Sequence, residues 1–144
     1  MTVHKCEKCE DFFLPALRRK RVPMRVQWFQ QDGATPHTTD EVLTFLHRHF
    51  NRRVISNRYP DLFNAGLKWP PTSPDLNPCD FFLWGFLKQE VFKQAPRTLT
   101  ELRLKIEQCA AAIKRETLIR VFDNMCIRTR EVVNRRGGHF EHIL

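Results

Sequence analysis

Arg25-Val26-Gln27-Trp28-Phe29-Gln30-Gln31 runs straight into Asp32-Gly33-Ala34-Thr35-Pro36-His37, and the class of the whole chain turns on that junction. The first seven residues are rich in β-branched and aromatic side chains, which fit a pleated, half-buried surface, so residues 25–31 are expected to be a strand. Gly33 and Pro36 break it, which leaves Asp32 at a strand's carboxyl end. Thr38 with Glu41 three residues on has the form of a capping box. Val42, Leu43, Leu46 and Phe50 then recur at helical spacing, predicting a helix over 39–50. Val54-Ile55-Ser56 is a short strand candidate. Strand, helix and strand in that order predict an α/β layer with the helix packed on a sheet.

Downstream, residues 57–78 read as an irregular middle. Pro60, Pro70, Pro71, Pro74 and Pro78 each lack the N–H that regular structure needs. Ser73-Pro74-Asp75-Leu76-Asn77-Pro78 has the form of consecutive turns opening a helix. That helix carries Asp80, Phe81, Phe82, Leu83, Trp84, Phe86, Leu87, Val91 and Phe92; being apolar on more than one side, it is expected to be central. Gly85 either admits a close backbone or weakens the helix. Thr98 and Glu101 form a second capping box, after which Leu99, Leu102, Ile106, Cys109 and Ile113 define one helix face. A last helix is marked by Leu118, Val121, Phe122, Met125, Cys126 and Val132, with Gly137-Gly138 as its stop. Its opposite face is expected to hold Arg115, Arg120, Arg128, Arg130, Arg135 and Arg136, either tracking phosphate or simply solvated. About five helices and two strands result, with the last two helices packed on the Phe81–Phe92 helix.

Upstream, residues 3–17 read as a helix, followed by the basic run Arg18-Arg19-Lys20-Arg21. Such a run suits phosphate contact, nuclear import or a solvated connector. The chain has 24 Lys and Arg against 16 Asp and Glu, a net charge of +8, which favours a polyanionic partner because cations release counterions on meeting phosphates. Twelve Phe and a hydrophobic share of 42% argue for a folded chain and against disorder. No apolar run approaches the roughly 18 residues of a membrane span. The charged first residues do not suit a signal peptide, so a soluble intracellular protein is expected. Five cysteines at irregular spacing do not suggest a disulfide framework. Cys6-x-x-Cys9 with His4 looks like half a zinc site, but no second pair completes it.

Asp32 and Asp80 are the carboxylates of interest, each beside turn residues that open the backbone. Two such groups brought together can hold magnesium, a hard cation that prefers oxygen. Read structurally, Asp32 forms an Asx turn and Asp80 a helix-start residue that favours the dipole.

Two longer motifs extend this reading. Trp28-Phe29-Gln30-Gln31-Asp32-Gly33-Ala34-Thr35-Pro36-His37, and Trp69-Pro70-Pro71-Thr72-Ser73-Pro74-Asp75-Leu76-Asn77-Pro78-Cys79-Asp80-Phe81-Phe82-Leu83-Trp84-Gly85, together resemble the catalytic half of mariner-type transposases. That superfamily has a ribonuclease H-like fold and three metal-binding acids. Phe12-Phe13-Leu14-Pro15-Ala16-Leu17 resembles the helix before the family's second acidic motif. Gly137-Gly138-His139-Phe140-Glu141-His142-Ile143-Leu144 resembles its C-terminus. The resemblance implies that Asp32 is the second acid and Asp80 the third. Asp75 is a rival within the same motif, but the family places the acid after an Asn-Pro-x step, which selects Asp80. His37 matches a family histidine after the second acid, near the scissile phosphate or in a structural hydrogen bond.

The resemblance further implies magnesium or manganese as cofactor, DNA as partner, a possible homodimer or transposase partner chain, and a nuclear location. The Asp32-to-Asp80 spacing exceeds the family's usual one. The excess falls at Asn57–Lys68, which is expected to be an enlarged loop. The first acid, the first strands and the helix-turn-helix would lie before residue 1, so residues 1–144 are expected to be a single truncated domain, a partial ribonuclease H-like fold with C-terminal helices. Three functions remain open: a nuclease fragment that needs another chain to cut DNA, a non-catalytic module binding nucleic acid (through Arg18, Arg19, Lys20, Arg21 and His37) or protein, and an inert remnant.

Overall fold

The computed structural model describes residue 11 and residues 13–138. The Cys6-x-x-Cys9 pair with His4, most of the helix expected over 3–17 and the segment 139–144 lie outside the described residues. The chain divides into two compact units, Met1–Thr72 and Ser73–Leu144.

The first unit is mixed α/β. Helix α1 (Leu14–Arg19) precedes strand β1 (Phe29–Gln30), a 3-10 turn at Thr35–His37, helix α2 (Asp40–Phe50), strand β2 (Val54–Ser56), helix α3 (Tyr59–Phe63) and strand β3 (Leu67–Lys68). The sheet order is β1-β2-β3 and both pairs are parallel, with Phe29 opposite Val54 and Ile55 opposite Leu67. Parallel neighbours need a crossover, and α2 and α3 supply the two. The core gathers on α2, whose Val42, Leu43, Phe45, Leu46 and Phe50 are buried with Leu14, Val54 and Tyr59. Phe29 closes it from the sheet, 5.1 Å from the Phe50 ring.

Three boundaries differ from the sequence expectations. Strand β1 is confined to Phe29–Gln30 within residues 25–31, because among the described residues its one neighbour in the sheet is the short β2. The cap of α2 is Thr39, whose hydroxyl accepts the Val42 N–H at 3.4 Å. Thr38 instead turns its hydroxyl back onto the Thr35 carbonyl at 3.3 Å. The expected loop at 57–68 contains α3 and β3. Pro60 suits the first turn of α3, which needs no N–H from it, and Asn64 ends the helix in the left-handed region at φ 46°. Gly66 then adopts φ +76°, and a Cβ there would lie 2.8 Å from the buried Tyr59 ring. Only glycine fits that turn into β3.

The second unit is helical. A 3-10 turn at Pro74–Leu76 leads into a π-helical stretch at Cys79–Leu83, which continues as α4 (Trp84–Phe92), then α5 (Leu99–Ala111) and α6 (Arg115–Asn134). Thr98 caps α5 as expected, accepting the Glu101 N–H at 3.1 Å. Glu101 reciprocates one residue earlier than a standard box, accepting the Arg97 N–H at 2.7 Å. Leu87, Val91 and Cys109 are buried between α4 and α5, with Leu83, Phe86 and Leu102 around them. Helix α4 is less central than its composition suggests: Trp84 is 52% and Phe92 66% exposed. Helix α6 packs on the Pro74–Leu76 turn, and Val121 is its one buried residue.

Candidate functional site

Asp32 stands where the sheet ends. Gln31 makes one further bond to β2, N–H to the Ile55 carbonyl at 3.0 Å, and the chain then leaves the sheet. The Asp32 carboxylate folds the next residues around itself. Its Oδ1 accepts the Ala34 N–H at 3.1 Å, an Asx turn, and also bonds His37 Nδ1. Pro36 presets the 3-10 turn that brings His37 back to Asp32. Gln31 Nε2 donates to the His37 carbonyl at 2.7 Å and to Ser56 Oγ at 3.1 Å, tying this turn to the buried end of β2. Arg58 donates to the Thr38 carbonyl at 2.6 Å and to Asp40 Oδ1 at 2.8 Å. The result is a carboxylate at the carboxyl edge of a parallel sheet, the edge where α/β folds place ligands. Its side chain is 37% exposed, and among the described residues Oδ2 has no hydrogen-bond partner. One committed oxygen and one open oxygen suit a hard cation that keeps part of its water.

Asp80 is built differently. Asn77 Oδ1 accepts the Cys79 N–H at 3.1 Å and Asn77 Nδ2 donates to Asp80 Oδ2 at 2.7 Å. The Asp80 and Phe81 N–H groups bond the Asn77 carbonyl. Asn77 therefore starts the helix, Pro78 occupies the first helical position where its missing N–H costs nothing, and Asp80 sits in the first turn with its charge toward the positive end of the dipole. Asp80 is exposed and lies in the π-helical stretch, a widened turn found often at functional sites. Asp75, the rival acid, offers its backbone carbonyl to Arg128 at 3.1 Å. Asp32 belongs to the first unit and Asp80 to the second.

The basic run is the end of α1. Arg18 and Arg19 fill the last helical turn, and Lys20 is the C-cap. Arg21 takes φ 52°, its N–H bonding the Arg18 carbonyl and the Val22 N–H bonding the Leu17 carbonyl. This is a Schellman ending with arginine in the place glycine usually holds. All four cations are exposed and none has an acidic partner among the described residues. They favour the negative end of the helix dipole and form a compact basic cluster.

The arginines of α6 do not share a face. With 3.6 residues per turn, Arg115, Arg120, Arg128 and Arg130 fall all around the helix, and Arg135 and Arg136 lie past its end. Arg128 points inward, its guanidinium 4.4 Å from the Phe81 ring centroid and 2.6 Å from Asn124 Oδ1. Arg135 pairs with Glu131 at 3.8 Å. The apolar residues also depart from expectation: Leu118 and Phe122 are 40% and 58% exposed.

Sequence reasoning missed Gln31, Ser56, Arg58 and the capping role of Asn77. Their signal was position: they flank strand ends or open a helix, where backbone groups need side-chain partners. Among the described residues no three His, Cys, Asp or Glu side chains gather into a metal-sized group, and no helix is long and apolar enough to cross a membrane. No family model and no curated protein matches the chain.

Proposed function

We propose that the chain is a transposase-derived, nucleic-acid-binding piece of a mariner-type catalytic domain, whose parent activity is metal-dependent cleavage and transfer of DNA strands. The observation that carries the reading is Asp32, a carboxylate with an open oxygen at the carboxyl edge of a parallel strand, within a motif that resembles the family's second acidic motif. A parallel sheet with helical crossovers is compatible with a ribonuclease H-like layer. Asp80, in the Asn-Pro-x-Asp context, is the second carboxylate of the proposed site.

Asp32 and Asp80 would hold magnesium or manganese, and such ions activate an attacking oxygen and stabilise the leaving one. The chain's own residues prepare the ligands. His37 and the Ala34 N–H fix the Asp32 carboxylate, and Asn77 fixes that of Asp80. The basic cluster Arg18-Arg19-Lys20-Arg21 attracts the phosphate backbone without reading sequence, and also suits nuclear import. Asp32 and Asp80 by themselves supply too few ligands to set two ions and an attacking oxygen in line, so binding without cutting is the outcome expected of residues 1–144 alone. The test is labelled DNA incubated with the purified chain and magnesium, scored separately for binding and for nicking. Binding without nicking is expected. Magnesium-dependent nicking abolished in Asp80→Ala overturns the non-cutting part, and no binding at low salt favours an inert remnant.

A further inference from the structure

Phe29 and Val54 face the core on α2, so the residues that alternate with them along β1 and β2 lie on the other face of the sheet. Trp28 belongs to that second face and is 50% exposed. A single exposed tryptophan calls for no explanation by itself. The setting of this one does. Residues 13–31 hold Arg18, Arg19, Lys20, Arg21 and Arg25 and not one acidic residue. Arg53 adds a further cation on the adjoining strand. Its carbonyl accepts the Phe29 N–H at 2.9 Å, which continues the register and makes Arg53 the neighbour of Trp28. Its guanidinium donates to the Gln27 carbonyl at 3.2 Å and to the Met24 carbonyl at 3.3 Å. Those two bonds fasten the segment that carries Arg25 onto β2, so the indole and the cations around it are held by the sheet.

We propose that this face binds single-stranded nucleic acid, with an unpaired base stacked on Trp28 and the flanking phosphates drawn to Arg25 and the Arg18-Arg19-Lys20-Arg21 cluster. The proposal rests on the nucleic-acid reading above and adds to it the form of nucleic acid. An indole offers a π-face, and every base has one to match, so such stacking is tolerant of sequence. In a duplex each base is already stacked on its neighbours and shows only its edges in the grooves. A duplex therefore meets the cations but not Trp28, whereas a single strand meets both. An apolar protein partner would cover the tryptophan and leave the cations without counter-charges, which phosphates supply.

Fluorescence anisotropy of a labelled oligothymidylate, alone and annealed to oligoadenylate, tests the proposal at low salt with the full chain. Trp28→Ala should weaken binding of the single strand about tenfold, the worth of one stacked base, and leave duplex binding unchanged. Trp28→Phe keeps an aromatic face and should retain most of the single-strand affinity. Neither variant removes a charge, so the salt dependence of both should match that of the native chain. Far-ultraviolet circular dichroism checks that each variant keeps the fold. Binding of both forms with no loss in Trp28→Ala, an equal loss on single strand and duplex, or a Trp28→Phe variant as weak as Trp28→Ala would overturn this proposal and leave the nucleic-acid reading standing. Absence of binding to either form would overturn both.

Discussion

His37 Nδ1 bonds the same Asp32 oxygen that takes the Ala34 N–H, so one carboxylate oxygen organises the whole turn after β1 while the other stays open. Because a carboxylate accepts, the imidazole must carry its proton on Nδ1. Nitrogen-15 NMR of the ring should therefore show a protonated Nδ1 for His37, and Asp32→Ala should return the ring to the mixture seen in a free imidazole. An Nε2-protonated neutral ring in the native chain would contradict this arrangement.

Gly66 and Gly85 should respond to alanine in opposite directions. Gly66 sits at φ +76° with the Tyr59 ring beside it, so Gly66→Ala combines a disfavoured backbone with a clash. A loss of more than about 2 kcal/mol is expected in urea unfolding. Gly85 lies in α4 with nothing within 4 Å of its would-be Cβ. There glycine only adds unfolded-state freedom, and Gly85→Ala should raise stability by about 0.5–1 kcal/mol. Equal effects at both positions would refute this distinction.

Tyr59 gives the first unit an alkaline limit. Its side chain is fully buried, and its hydroxyl donates to the Asn51 carbonyl while accepting from His47 Nδ1 at 2.7 Å. Burial raises the phenol above its ordinary value of 10.0, against a smaller lowering by Arg52. Folding therefore favours the protonated form. Its contribution is complete below about pH 10 and is lost as pH climbs through the raised value. As Tyr59 is the sole tyrosine, tyrosinate absorbance reports it directly and should rise above pH 10, together with loss of structure. Tyr59→Phe should cost about 1–3 kcal/mol at neutral pH by orphaning both partners, and should flatten the alkaline decline.

At the start of the π-helical stretch, Asn77→Ala removes the cap and should cost about 1 kcal/mol. Asp80→Ala, at an exposed carboxylate, should cost only a few tenths. A larger loss from Asp80 than from Asn77 in thermal unfolding would mean that Asp80 is structural, which would weaken its place in the proposed site.

How much of this was legible follows from which forces act locally. The β1–α2–β2 order could be read because Gly33, Pro36 and the α2 periodicity act within a few residues. The missed α3 and β3 were hidden by prolines that read as breakers, although Pro60 suits a helix start and Trp69 continues the pairing by donating to the Ser56 carbonyl. Asp32 and Asp80 stood out as carboxylates beside turns, but the bonds that hold them come from Ala34, His37 and Asn77. Leu118, Phe122 and Cys126, among the residues that marked the last helix, are exposed, because an apolar pattern says that a face is apolar, not what covers it. Arg128 was misread for the converse reason: a cation can lie inward when Phe81 and the Asp75 carbonyl receive it.

The most direct measurement of the central claim is DNA affinity as a function of salt, for the native chain and for the variant with Arg18, Arg19, Lys20 and Arg21 replaced by Ala. A linear log–log fall in affinity that is the same for unrelated sequences is expected, with a shallower slope in the variant by roughly one unit for each phosphate contact removed. Affinity independent of salt, or an unchanged slope in the variant, would contradict it.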